Sequence, residues 1–98
     1  MNNNLNKINS YIGFAIKADK VIWGVDNIVA NKGRCKVILK DSTLADGSAK
    51  KLANYAIKKG INIIEYAELS LFVGRGAKAL GVTEPNLAAA INKISKGV

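Results

Sequence analysis

Ninety-eight residues, 49% of them hydrophobic, are enough for one packed core and too few for two, so a single domain is expected over residues 1–98, with a polar tail at 1–4. Fifteen Lys and Arg against seven Asp and Glu leave a formal charge of +8, which points to a polyanionic partner, nucleic acid or an anionic membrane surface. With no histidine and a single cysteine, Cys35, the composition excludes histidine-based triads, an internal disulfide and the usual zinc sites.

In chain order, Leu5, Ile8, Ile12 and Ala15 recur at helical spacing and predict a helix over about 4–18. Asp19-Lys20 reads as a turn and Val21-Ile22-Trp23 as a short strand ending at Gly24. Asp26 to Asn31 fits a short helix that starts just after Gly24 and stops at Gly33. Cys35 to Lys40 is a β-branched run of strand length, with Cys35 expected as a buried thiol. Asp41-Ser42-Thr43 and Asp46-Gly47-Ser48 read as turn and capping residues.

Ala49, Leu52, Ala53, Ala56 and Ile57 then mark the apolar face of a helix, opposite Lys50, Lys51, Lys58 and Lys59, which read as a solvated face. Gly60 falls where a helix C-terminal glycine belongs. Ile61 to Tyr66 reads as a buried strand and Glu68 to Val73 as a short helix. Periodicity leaves Ala77 to Val82 open between helix and strand. Gly74-Arg75-Gly76 before it and the helix start Thr83-Glu84-Pro85 after it favour a strand, with Thr83 as the capping hydroxyl. Leu87, Ile91 and Ile94 stripe a C-terminal helix. Such alternation predicts a three-layer α/β/α sandwich around a small mixed sheet of about four strands.

Little in the chain could build an active site. Asp41 and Asp46 are close in sequence, but acidic residues in a Ser-, Thr- and Gly-rich loop read as turn formers. Gly74-Arg75-Gly76 lacks the G-x-x-x-x-G-K-[ST] pattern of a phosphate loop. No enzyme activity, cofactor, metal or small-molecule substrate is therefore expected. Apolar stretches such as Tyr11–Ile16 fall short of a membrane span, and Met1-Asn2-Asn3-Asn4 does not resemble a signal peptide. A cytoplasmic monomer without membrane contact is the expectation.

The most informative stretch runs from Lys17 to Asn27. Two lysines, Lys17 and Lys20, precede a strand that ends at Gly24, where a helix begins. Helix starts carry unpaired N–H groups and attract anions. A glycine there permits close approach of a nucleic-acid backbone, and Asn27 could meet a base edge. An ordinary capped helix start would also explain Gly24 and Asp26.

The run Lys17-Ala18-Asp19-Lys20-Val21-Ile22-Trp23-Gly24-Val25-Asp26-Asn27-Ile28 resembles the K-x-x-K-hydrophobic-G-x-N-E-V signature of the ribosomal protein L-seven-Ae-like family, whose members bind kink-turn RNA. Val37 to Ser42 is similar to that family's strand and acidic loop. Leu80-Gly81-Val82-Thr83-Glu84-Pro85-Asn86-Leu87-Ala88 is similar to the A-I-T-D-x-N-F-A ending of its small bacterial members. The order of elements fits from about Leu5 to Ile94.

The resemblance implies an α/β/α sandwich with an RNA face made of three pieces: Gly24, Val25, Asp26 and Asn27; Lys40 and Asp41; and Gly74, Arg75, Gly76 and Ala77. In the family the first piece enters a widened major groove at tandem sheared G·A pairs, and the third covers a flipped-out nucleotide. This chain departs from the pattern with Asp26 where asparagine is typical, Asn27 where glutamate is, and Ala30 in place of a lysine. Structured RNA, including ribosomal RNA, is the expected partner, with Lys17 and Lys20 steering its backbone. The alternative is a protein-interaction module that keeps the fold without kink-turn binding.

Overall fold

Ile8, Ile12 and Ala15, spaced for one helical face, are all buried on α1 (Asn3–Lys17). The structure, a computed structural model, describes residues 3–30, 34–66, 69 and 77–96. Helix α1 ends in a tight reversal. The Asp19 N–H bonds the Ile16 carbonyl at 3.0 Å and the Lys20 N–H reaches back to the Ala15 carbonyl at 2.8 Å. That pair of bonds is a Schellman motif, and it needs one left-handed residue. Asp19 takes that role at φ 57°, a conformation its short polar side chain tolerates better than most.

Strand β1 (Val21–Trp23) leads through Gly24 into α2 (Val25–Ala30), which begins one residue before the expected Asp26; its expected stop at Gly33 lies outside the described residues. Strand β2 (Val37–Lys40) is shorter than the Cys35–Lys40 run. Cys35 and Lys36 lie ahead of it, though the Lys36 N–H still bonds the Val82 carbonyl at 2.8 Å.

Helix α3 (Asp46–Lys59) takes in Asp46-Gly47-Ser48, the residues expected to form a turn, as its first turn. Its N-cap is Ala45, which makes no side-chain cap bond, and Asp46 complements the partial positive charge of the helix start. The helix closes at Gly60, left-handed at φ 68°, as the sequence predicts. Strand β3 (Asn62–Glu65) follows. Of the expected 68–73 helix only Leu69, which is buried, lies within the described residues. The Ala77–Val82 segment resolves as strand β4 (Ala79–Val82), and α4 (Pro85–Lys96) completes the chain. The group capping α4 is not the Thr83 hydroxyl but the Glu84 carboxylate, which accepts from the Leu87 N–H at 2.6 Å.

The sheet order is β1-β4-β2-β3. Strand β4 is antiparallel to both β1 and β2, while β2 and β3 are parallel, so the sheet is mixed. Alternation of side chains then builds the two faces. Val37, Leu39, Leu80 and Val82 pack under α1 and α4, against Ile8, Ile12, Ala15, Ala88 and Ile91. Ile38 and Ala79 point the other way, toward Ile28 of α2 and Leu52, Tyr55 and Ala56 of α3. The result is the α/β/α sandwich.

One helix residue and one strand are less buried than their sequences suggest. Ile57 is 80% exposed, because Tyr55 shifts the buried stripe of α3 to Leu52, Tyr55 and Ala56. Strand β3 lies at the sheet edge, so Asn62 and Glu65 are exposed and Ile63 and Ile64 only half-buried.

Cys35 is buried at 2% exposure, and its thiol donates to the Val37 carbonyl at 3.4 Å. Burial pushes the thiol up to about 11, from an ordinary value of 9.0. The unfolded chain therefore loses this proton first as pH rises. The contribution to stability is whole below pH 9.0 and is lost through the folded value of about 11, at about 1.4 kcal/mol per pH unit within that window. At neutral pH the folded protein should react with a thiol reagent far more slowly than the urea-unfolded chain. Stoichiometric labelling of the native protein within minutes would contradict this packing.

Candidate functional site

Strands β1 and β2 finish, and β4 begins, at the same end of the sheet: Trp23 pairs with Leu80 and Lys40 with Ala79. Three separate segments meet there. The Gly24 N–H bonds the Ala79 carbonyl at 3.0 Å, and the Asp41 N–H bonds the Lys78 carbonyl at 2.8 Å. Residues 24 and 41 thus flank the entry into β4, one strand spacing to each side, roughly 10 Å apart in all. Gly24 stands at φ 88°, where a side chain would be strained, and this turns the chain directly into α2.

On this rim Asn27 is exposed, and its Nδ2 donates to the Trp23 carbonyl at 2.8 Å. The bond sets the direction of the side chain while the amide oxygen can still accept. Val25 and Lys40 are half-buried, as is Ala77. Gly74, Arg75 and Gly76 lie outside the described residues. Asp26 is exposed and paired with Lys51 of α3 at 2.8 Å. Lys51 holds its carboxyl below the usual range, first by the hydrogen bond and then by charge. A pair this exposed is screened by salt and weak.

Asp41 differs from the contact residue that the sequence suggests, because it is only 1% exposed. Its Oδ1 accepts from the Thr43 N–H at 2.8 Å and the Thr43 hydroxyl at 2.7 Å. Asp41 therefore shapes the loop after β2 from within, as short acidic side chains do in turns.

Lys17 and Lys20, expected to steer an RNA backbone, lie away from this rim. The Lys20 carbonyl accepts from the Thr83 N–H at 2.9 Å, which sets it at the far end of β4 from Gly24. Four residues of extended chain separate it from Gly24, about 13 Å. Lys17 closes α1, just before the turn that leads to Lys20.

Lys78 was not among the residues singled out from the sequence. It is exposed between Gly24 and Asp41, and its Nζ lies 3.5 Å from the Thr43 carbonyl. It follows directly on Ala77, and the bond from Asp41 sets it beside the loop after β2.

Among the described residues no three His, Cys, Asp or Glu side chains are grouped to hold a metal ion. No helix among them is long and apolar enough to cross a membrane.

The chain has the fold of a known structure. It is similar to a protein of unknown function from Bacillus halodurans C, with a TM-score of 0.83 over 92% of this chain and 97% of that one. The two are 18% identical, so the likeness shows the shared fold alone. No family model matches the sequence, and no curated protein matches it.

Proposed function

We propose that the protein binds structured RNA, ribosomal RNA included, through the rim formed by Gly24–Asn27, Lys40 and Ala77–Lys78, as a divergent relative of the L-seven-Ae-like kink-turn proteins. The observation that carries this reading is the meeting of three sequence-distant segments, tied by the Gly24–Ala79 and Asp41–Lys78 backbone bonds, in a chain of net charge +8. A glycine turn lets an RNA backbone approach closely, Asn27 offers an amide to a base edge, and Lys40 and Lys78 meet phosphate. The family resemblance adds a role for Arg75 in this reading, contact with an exposed base or phosphate.

One observation favours a second reading, a protein-interaction module on the same fold. Asp26 sets an exposed carboxylate on the rim, where it would repel phosphate unless Lys51 masks it.

Titration of a kink-turn RNA at several salt concentrations tests the first reading. Log affinity should fall linearly with log salt at about 0.9 per phosphate neutralised, because condensed counterions are released. A flat plot would favour the protein-interaction module. Equal affinity for a straight duplex of the same length would remove the kink-turn part of the proposal.

A further inference from the structure

At the far end of β4 the sheet carries a second cationic surface. Lys20, Arg34 and Lys36 line an open groove of about 490 Å³ together with Thr83, Glu84 and Pro85. The cations come from two segments of the chain, and β4 sets the places of the two lysines. The Thr83 N–H bonds the Lys20 carbonyl at 2.9 Å, and the Lys36 N–H bonds the Val82 carbonyl at 2.8 Å. The one lining carboxylate, Glu84, is turned to the Leu87 N–H at 2.6 Å, where it caps α4. Three positive charges against one leave the lining at +2.

We infer that this groove is a second docking site, which takes the phosphodiester backbone of a nucleic-acid strand. It rests on the RNA reading only for the class of partner, since its residues are distinct from those of the Gly24 rim. The lysines supply mobile point charges for successive phosphates. A groove open to solvent suits a strand that runs through it better than a small anion, which needs enclosure. Two contact areas about 13 Å apart would let one monomer hold the folded part of an RNA at one end and its flanking strand at the other.

The test uses the full chain and a fluorescent twelve-residue oligouridylate, which has phosphates but no kink. Wild type should bind it with a salt-dependent affinity. The Lys20→Gln/Lys36→Gln variant should lose roughly tenfold or more at 0.1 M salt, and its log–log slope should drop by about 1.4, at about 0.7 per phosphate for single strands. A matched variant on α3, Lys50→Gln/Lys59→Gln, removes the same charge elsewhere and should stay within about twofold of wild type. Equal losses in the two variants would overturn the groove in favour of diffuse charge. So would a wild type that ignores the oligouridylate, or one that binds phosphatidylserine vesicles in its place. Failure of kink-turn recognition at the Gly24 rim would leave this result standing, because the probe has no kink to recognise. Thermal melts of both variants confirm that a lost affinity is not a lost fold.

Discussion

Gly81→Ala should destabilise the protein by about 1–3 kcal/mol, and Cys35→Ala in the same chain should recover much of that loss. Gly81 lies in the middle of β4, the strand enclosed on both sides by β1 and β2. A methyl group at this position would overlap the Cys35 sulfur, with Ile28 Cγ1 at 3.4 Å and Cys35 Cβ at 3.7 Å next nearest. The sulfur is not the far end of a long, flexible side chain. It is buried at 2% exposure with its thiol directed at the Val37 carbonyl, so it cannot swing aside cheaply. Cys35→Ala removes the overlapping atom and leaves a Cβ at ordinary contact distance. Each single variant should therefore melt lower than wild type, and the double variant higher than the sum of the two predicts. Urea denaturation of the four proteins reads the coupling directly. Strict additivity would mean that strand β4 and the Cys35 segment are not packed as described.

This pair also shows where sequence reading stops. The buried character of Cys35 is legible from its apolar neighbours, and the strand at Ala79–Val82 from its flanking glycines and helix start. The contact between Gly81 and Cys35 is not, because it depends on β4 returning to the middle of the sheet after β3 has already formed an edge. Strand order is a long-range choice, and local periodicity carries no record of it. The same cause explains the error at β3. Its apolar run Ile61-Asn62-Ile63-Ile64 reads as buried, yet an edge position leaves Asn62 and Glu65 in water.

The candidate site divides along the same line. Gly24 and Asn27 are adjacent in sequence to the helix start that gives them meaning, so a local motif finds them. Lys20 belongs to the same motif in sequence, but a strand separates its two ends by construction. A residue at the start of β1 lies about 13 Å from one at its finish. Asp41 carries two readings in the sequence, turn former and member of the RNA face. Acidic loop residues look alike in sequence whether they face solvent or close a turn from inside, and only the two bonds from Thr43 decide it. Lys78 and Lys36 are placed by backbone bonds to partners distant in sequence, Lys78 to Asp41 and Lys36 to Val82.

Replacing Asn27 by alanine should weaken binding of a kink-turn RNA by about 1–3 kcal/mol if its amide reads a base edge, while Asp26→Asn should tighten it. The two residues are neighbours on the first turn of α2, both exposed, yet they act in opposite directions. Asn27 is held toward the rim by its 2.8 Å bond to the Trp23 carbonyl. Water replaces that bond readily at an exposed site, so the melting temperature of Asn27→Ala should change little. Asp26 occupies Lys51 through the 2.8 Å ion pair. With asparagine in its place the repulsive charge is gone and the lysine is released for phosphate. One additional phosphate contact, at a slope of about 0.9, corresponds to roughly eightfold in affinity at 0.1 M salt relative to 1 M. The log–log slope should steepen by the same increment, which separates this cause from a new base contact that leaves the slope alone. The pH dependence provides a second check. Lys51 lowers the Asp26 carboxyl below its ordinary 3.8, so this ion pair should persist in mild acid and break only as pH falls below that value. Wild type should therefore bind no tighter at pH 5 than at pH 7. If Asp26→Asn weakens the complex instead, the carboxylate accepts from a guanine amino group. If neither substitution changes affinity while RNA remains bound, the RNA lies on another face, and the Lys20–Arg34–Lys36 groove becomes the principal site.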